Sequence, residues 1–111
     1  YSFYFIEEGG KMLGYSCFGR IPLTEASYDL YWLVVDTDFQ NKGIAKQLLN
    51  LTEIAVNSEA GTQLYAETSS MDNYKPARSF YQKAGFSECA RQKNFYKKGD
   101  DKVTYVQLIN V

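Results

Sequence analysis

Leu30-Tyr31-Trp32-Leu33-Val34-Val35-Asp36-Thr37-Asp38-Phe39-Gln40-Asn41-Lys42-Gly43-Ile44-Ala45-Lys46-Gln47-Leu48-Leu49 changes its hydrophobic period halfway along. The run Leu30 to Val35 is continuously apolar, which predicts a central strand covered on both faces, beginning near Asp29. Beyond the turn, Ile44, Leu48, Leu51 and Ala55 recur at helical spacing, and Leu49, Thr52 and Val56 widen the stripe. A helix is therefore predicted from about Lys42 to Asn57, stopped near Gly61. At such a junction the first helical amides lack partners and the aligned dipoles favour negative charge, so converging N–H groups make an anion pocket. Gly43 and the small Ala45 let a phosphate approach the backbone, and Lys42 and Lys46 add positive charge at the rim. Asp36 and Asp38 suit the turn and the helix cap.

The flanking sequence supplies the rest of a mixed sheet. Tyr1 to Glu8, the turn Gly9-Gly10-Lys11 and Met12 to Phe18 form a predicted antiparallel hairpin. Downstream, Thr62 to Thr68 is strand-like, and Ser69-Ser70-Met71-Asp72-Asn73 offers polar capping groups before a second helix, Lys75 to Ala84. Pro76 fits the first turn of that helix, Ala77, Phe80, Tyr81 and Ala84 share a face, and Gly85 is the stop. A last hairpin runs from Phe86 to about Gln92 and from Lys102 to Ile109, across Lys97-Lys98-Gly99-Asp100-Asp101. The order β-β-β-α-β-α-β-β predicts an α/β fold (an α+β mixed sheet) with parallel pairing in the middle, built as one domain over residues 1–111.

Composition narrows the chemistry. In 111 residues, 45% are apolar, and seven Phe, ten Tyr and one Trp suit a sheet-based core. Twelve basic and thirteen acidic residues leave a net charge of -1, so nothing in the balance favours nucleic acid or an anionic membrane as a partner. There is no histidine, and Cys17 and Cys89 stand apart, expected as buried free thiols; no metal is expected. The longest apolar run is too short to span a bilayer, and a cytoplasmic protein is expected. The Gln40-x-x-Gly43-x-Ala45 spacing alone equally suits a tightly packed strand-to-helix turn, while the P-loop and dinucleotide-binding glycine patterns are absent.

Two blocks together resemble the GNAT superfamily of acetyl-CoA-dependent N-acetyltransferases. Gln40 to Ala45 is similar to that family's [RQ]-x-x-G-x-[GA] motif, and Ala77-Arg78-Ser79-Phe80-Tyr81-Gln82-Lys83-Ala84-Gly85-Phe86 to its A-x-x-F-Y-x-x-x-G-F signature. Wider similarity in Pro22-Leu23-Thr24-Glu25, Glu67-Thr68-Ser69-Ser70 and Phe95-Tyr96-Lys97-Lys98-Gly99-Asp100-Asp101-Lys102 resembles a subgroup acting on small amino acids. There are two departures. The chain begins where the family's first strand and two helices would already have passed, and Tyr74 stands where many members have Asn.

The resemblance implies acetyl-CoA as cosubstrate, its pyrophosphate on Gln40, Asn41, Lys42, Gly43, Ile44, Ala45 and Lys46. It further implies the pantetheine arm along Leu33, Val34 and Val35, with the Val35 amide polarising the thioester carbonyl. Tyr81 is the implied acid that protonates the departing thiolate. Without histidine, the base is left open among Asp29, Glu67, Glu25 and water; by alternation Asp29 is expected on the face of Leu33 and Val35. Arg78 is expected as solvated surface or as a contact to the coenzyme's 3′-phosphate. The expected partner is a small-molecule amine acceptor, a homodimer is a further expectation, and the rivals are a protein N-acetyltransferase and a non-catalytic acyl-CoA-binding domain.

Overall fold

The computed structural model describes residues 1–40 and 42–109. Its strands are β1 (Ser2–Glu8), β2 (Lys11–Arg20), β3 (Ser27–Val35), β4 (Gln63–Ser69), β5 (Ser87–Lys97) and β6 (Asp100–Leu108). Helix α1 (Ile44–Ser58) links β3 to β4, and α2 (Lys75–Lys83) links β4 to β5. Short 3-10 turns at Thr37–Phe39 and Asp72–Tyr74 precede them. This is the predicted element order. The strands lie in one sheet in the order β1-β2-β3-β4-β6-β5, and only β3 and β4 pair in parallel. None of the described helices is long and apolar enough to cross a membrane.

Both helices pack on the same face of the sheet. Leu49, Ala55 and Val56 of α1 bury against Phe18, Tyr28, Leu30, Leu64, Ala66, Val103 and Tyr105, and Phe80, Tyr81 and Ala84 of α2 close the same cluster. A smaller cluster of Leu13, Ile44 and Leu48 lies under Leu33, Val35 and Phe39. Among the described residues the opposite face carries no helix. It presents Phe3, Phe5, Tyr15, Tyr31 and Trp32, the last 62% exposed. The expectation that β3 is covered on both faces is thus corrected: its apolar run serves a core on one side and an open aromatic surface on the other.

Two irregularities in β3 shape everything near its C-terminal end. In the ladder with β2, Cys17 is matched with Trp32 but Phe18 with Leu30, which leaves Tyr31 without a partner. Such a bulge shifts the alternation by one. Leu30 and Leu33 consequently both face the helices, whereas Asp29 faces the open side. The expected shared face of Asp29, Leu33 and Val35 is therefore wrong, because alternation carries only through an unbroken ladder. The second irregularity is a fork. β3 pairs with β4 from Ser27↔Gln63 to Leu30↔Ala66 and no further, although β3 continues to Val35 and β4 to Ser69.

The helix ends are local. Ala60, with φ 63°, closes α1: its N–H donates to Asn57 O (3.0 Å) and the Gly61 N–H to Val56 O (2.8 Å). Gly61 is required because a Cβ there would collide with Val56 and the Tyr28 ring. Gly85 (φ 101°) ends α2 the same way, with Phe86 N–H donating to Tyr81 O (3.0 Å). At the start of α2 no side chain caps the helix, contrary to the polar run before it. Arg78 instead reaches back, its Nη1 donating to Ser69 O (2.6 Å) and Met71 O (2.9 Å). Nη1 of Arg78 is thus engaged by the backbone of the loop before α2.

The last hairpin is longer than expected, with β5 running on to Lys97 and turning at Lys98-Gly99. Its ladder steps from Gln92↔Lys102 directly to Lys97↔Asp100, so residues 93–96 stand out from the sheet. Asn94, with φ 58°, anchors this segment: its N–H donates to Asp101 Oδ1 (3.0 Å) and its Oδ1 accepts from the Gly99 N–H (2.8 Å). Cys89 lies on the exposed β5, which corrects the expectation of two buried thiols; Cys17 is buried.

Candidate active site

A cleft of about 570 Å³ opens on the helix side, directly over the fork. Leu33 and Val35 form its floor, Phe39 and Gln40 one end, Gly43 to Lys46 a rim, and Pro76, Ala77, Phe80 and Tyr81 of α2 the far wall. The two blocks singled out in the sequence therefore face each other across one space. Asn41 lies outside the described residues.

The rim is a helix N-terminus with open access. Gly43 adopts φ 78°, a conformation costly for other residues, and a Cβ placed on it would meet nothing within 4 Å. The first intrahelical bond donates from Gln47 N–H to Gly43 O (3.0 Å), so the amides of Ile44, Ala45 and Lys46 have no partner within the helix. Asp36 holds the preceding turn, accepting from the Asp38 N–H at Oδ1 (2.9 Å), as expected for a turn-setting residue. Lys46 lines the cleft and Lys42 is exposed beside it. Free amides, open space and a lysine fit the diphosphate of coenzyme A.

The floor has a defined polarity. Asp36 N–H donates to Leu13 O of β2 (2.8 Å), and Val34 O lies close to Gly14 on the same neighbour. Backbone groups alternate along a strand, so those of Leu33 and Val35 point the other way, into the fork. There they have no strand partner among the described residues, since pairing with β4 has ended at Leu30. An extended polyamide arm can take that place. Val34 is turned toward β2 and its side chain to the open face, so of the three β3 residues only Leu33 and Val35 offer free backbone.

Tyr81 stands at the cleft's far wall, its ring 6.0 Å from that of Tyr105 and 5.2 Å from Phe86. Burial pushes its phenol up to about 12, so it remains a neutral O–H donor across the ordinary pH range.

Asp29 and Glu67 meet on the opposite face of the sheet. With Leu30, Tyr31 and Tyr65 they line a pocket of about 230 Å³ at the apex of the fork. The Asp29 carboxyl is raised above the usual range, first by burial and then by the Glu67 charge, with Lys102 acting against both. Glu25 lies in the loop before β3, at the far end of that strand from the fork, and is not brought to the site. Lys102 was not expected here: its Nζ is 3.5 Å from Glu67 Oε2 and 4.3 Å from the centre of the Phe95 ring. The alternation of β6 places Lys102 on the open face, but only the register Ser69↔Lys102 brings it beside Glu67.

Comparison with known proteins agrees with this fold. Residues 1–88 match the family pattern of the acetyltransferase (GNAT) domain. A solved structure from Desulfovibrio desulfuricans, assigned to the GNAT family of acetyltransferases, is 43% identical, with a TM-score of 0.94 over 96% of this chain and 67% of that one. The ribosomal-protein-S18-alanine N-acetyltransferase of Escherichia coli shares the fold at 20% identity, with a TM-score of 0.85 over all of this chain and 70% of that one. An aminoglycoside 6'-N-acetyltransferase in complex with coenzyme A does so at 19% identity and a TM-score of 0.82, over 96% of this chain and 72% of its own. No curated protein matches the chain in sequence.

Proposed function

The chain belongs to the GNAT acetyltransferase family, and on that premise we propose that it moves an acetyl group from acetyl-CoA directly to a primary amine of a small molecule. The observation that carries this reading is the fork between β3 and β4. It is lined by an amide cradle and a neutral phenol on one face and by two carboxylates on the other. A donor seated from the helix side and an acceptor entering from the open side meet at one gap without an enzyme-bound intermediate.

Bound acetyl-CoA would supply the activated acyl carbon. The amides of Ile44, Ala45 and Lys46, with Gln40 and Gly43 beside them, hold its diphosphate. Leu33 and Val35 align its arm as an added strand, and the Val35 N–H polarises the thioester carbonyl. Transfer requires two proton movements: one off the acceptor ammonium as its nitrogen bonds to the acetyl carbon, one onto the coenzyme A sulfur as the C–S bond breaks. Tyr81 is suited to give the second proton, and the carboxylate pair to take the first. Much of the acceleration then comes from alignment across the fork. The relatives named for acceptors act on an aminoglycoside and on a ribosomal protein alanine, so the family's amines are diverse. The segments around Glu67 and Phe95 to Lys102 resemble a subgroup acting on small amino acids, the acceptor class we favour.

Isothermal titration with acetyl-CoA and a free-thiol assay over amino acids, polyamines and short peptides test the reading. Saturable binding with thiol release on a free amino acid is expected. Absence of binding removes the proposal, and binding without release on any acceptor leaves a non-catalytic acyl-CoA-binding domain.

A further inference from the structure

We propose that Asp29 is the group that takes the acceptor's proton, and that Lys102 is a positioning residue which engages Glu67 and so gives the two carboxylates different roles. This rests on the transferase reading above and deepens it.

The geometry separates two residues that look equivalent in sequence. Both reach the open face at the apex of the fork: Asp29 because the bulge at Tyr31 sets it opposite Leu33, and Glu67 because it follows Ala66, the last β4 residue paired with β3. Lys102 treats them unequally. Its ammonium sits between Glu67 Oε2 at 3.5 Å and the Phe95 ring at 4.3 Å, and its side chain is only 17% exposed. That seat is built, since residues 93–96 leave the β5 ladder and Asn94 pins them to Asp101 and Gly99. Asp29 has no ion-pair partner among the described residues and lines the small pocket directly.

The other groups around the pair leave this division intact. From β3 there is Tyr31, a phenol raised by burial and by Asp29; from β4 Tyr65, whose hydroxyl donates to Gln63 Oε1 (2.6 Å). Tyr96 on the outstanding segment is raised by burial and then by Glu67, Asp100 and Tyr74, and Asp100 accepts from the Ser69 hydroxyl. None of these supplies a second cation. The charge on Glu67 therefore makes Asp29 the better proton acceptor, in addition to burial, and Lys102 moderates it.

Opposite shifts from two substitutions form the test. With the Asp29 carboxyl carbon followed by NMR across pH, Glu67→Gln is expected to move its midpoint to lower pH and Lys102→Met to higher pH, while Lys102→Arg stays near the unsubstituted protein. In acetyl-CoA thiol release with glycine, spermidine and a peptide bearing a free N-terminus, Asp29→Asn should lose at least about tenfold on the best acceptor, Glu67→Gln less. The acidic limb of the rate should follow the two NMR shifts. Circular dichroism on each variant separates these effects from loss of folding. Full activity in Asp29→Asn, or an Asp29 midpoint unmoved by both Glu67→Gln and Lys102→Met, overturns the assignment. No thiol release by the unsubstituted protein overturns the transferase reading and this assignment with it.

Discussion

At the scale of single residues, the site depends on two positions whose conformation or protonation is unusual. Gly43 has φ 78° and free space where a Cβ would stand, so a side chain there projects into open space rather than against the protein. Gly43→Glu should therefore cut acetyl-CoA affinity by at least about tenfold through charge repulsion at the cradle, with about 1–2 kcal/mol of backbone strain. Titration calorimetry reads the first effect and thermal melting the second. Tyr81 carries a phenol raised from 10.0 to about 12 by burial. Tyr81→Phe should lower turnover by about 10²-fold with acetyl-CoA affinity within about twofold, and should remove no alkaline limb below pH 10, because the phenol is neutral throughout that range. An unchanged rate would leave Tyr81 as core alone. The same shift has a stability sign: the fold's preference for the neutral phenol is fully present below pH 10 and is lost as pH rises toward 12.

At the scale of elements, α1 is held to the sheet by more than its apolar stripe. Ser16 of β2 and Thr52 of α1 are both fully buried and share a hydrogen bond of 2.9 Å, while the Thr52 hydroxyl also reaches Leu48 O at 2.8 Å. Thr52→Val keeps the shape but strands the Ser16 hydroxyl, and urea unfolding should show a loss of about 1–3 kcal/mol. Because α1 carries the cradle, the double replacement Ser16→Ala with Thr52→Val should recover part of that loss. The periodicity of Ile44 to Val56 announced this helix, and Thr52 was counted within its stripe. The partner of Thr52 was not legible, since Ser16 is 36 residues away and meets it only through the packing of helix on sheet.

At the scale of the whole molecule, a sheet whose described helices lie on one face sets Gly43 to Lys46 and Tyr81 on one side and Asp29 and Glu67 on the other. The same asymmetry sets the thiols apart: Cys17 lies inside β2 at 4% exposure and Cys89 on the outer strand β5. A thiol reagent should modify Cys89 within minutes and Cys17 only on unfolding; equal rates would mean that the sheet opens at β2. The sequence by itself determined the order of elements, the strand-to-helix turn at Gln40 to Ala45 and the Phe80-Tyr81 block, because period, turn chemistry and helix ends are written within a few residues of one another. Only the tertiary structure decided which face each carboxylate takes, that Val34 is turned away from the fork while Leu33 and Val35 border it, that Arg78 reaches back to the loop before α2, and that Lys102 pairs with Glu67. Each of these turns on a bulge, a register or a pairing that stops, and such features arise from contacts between strands that no local pattern records.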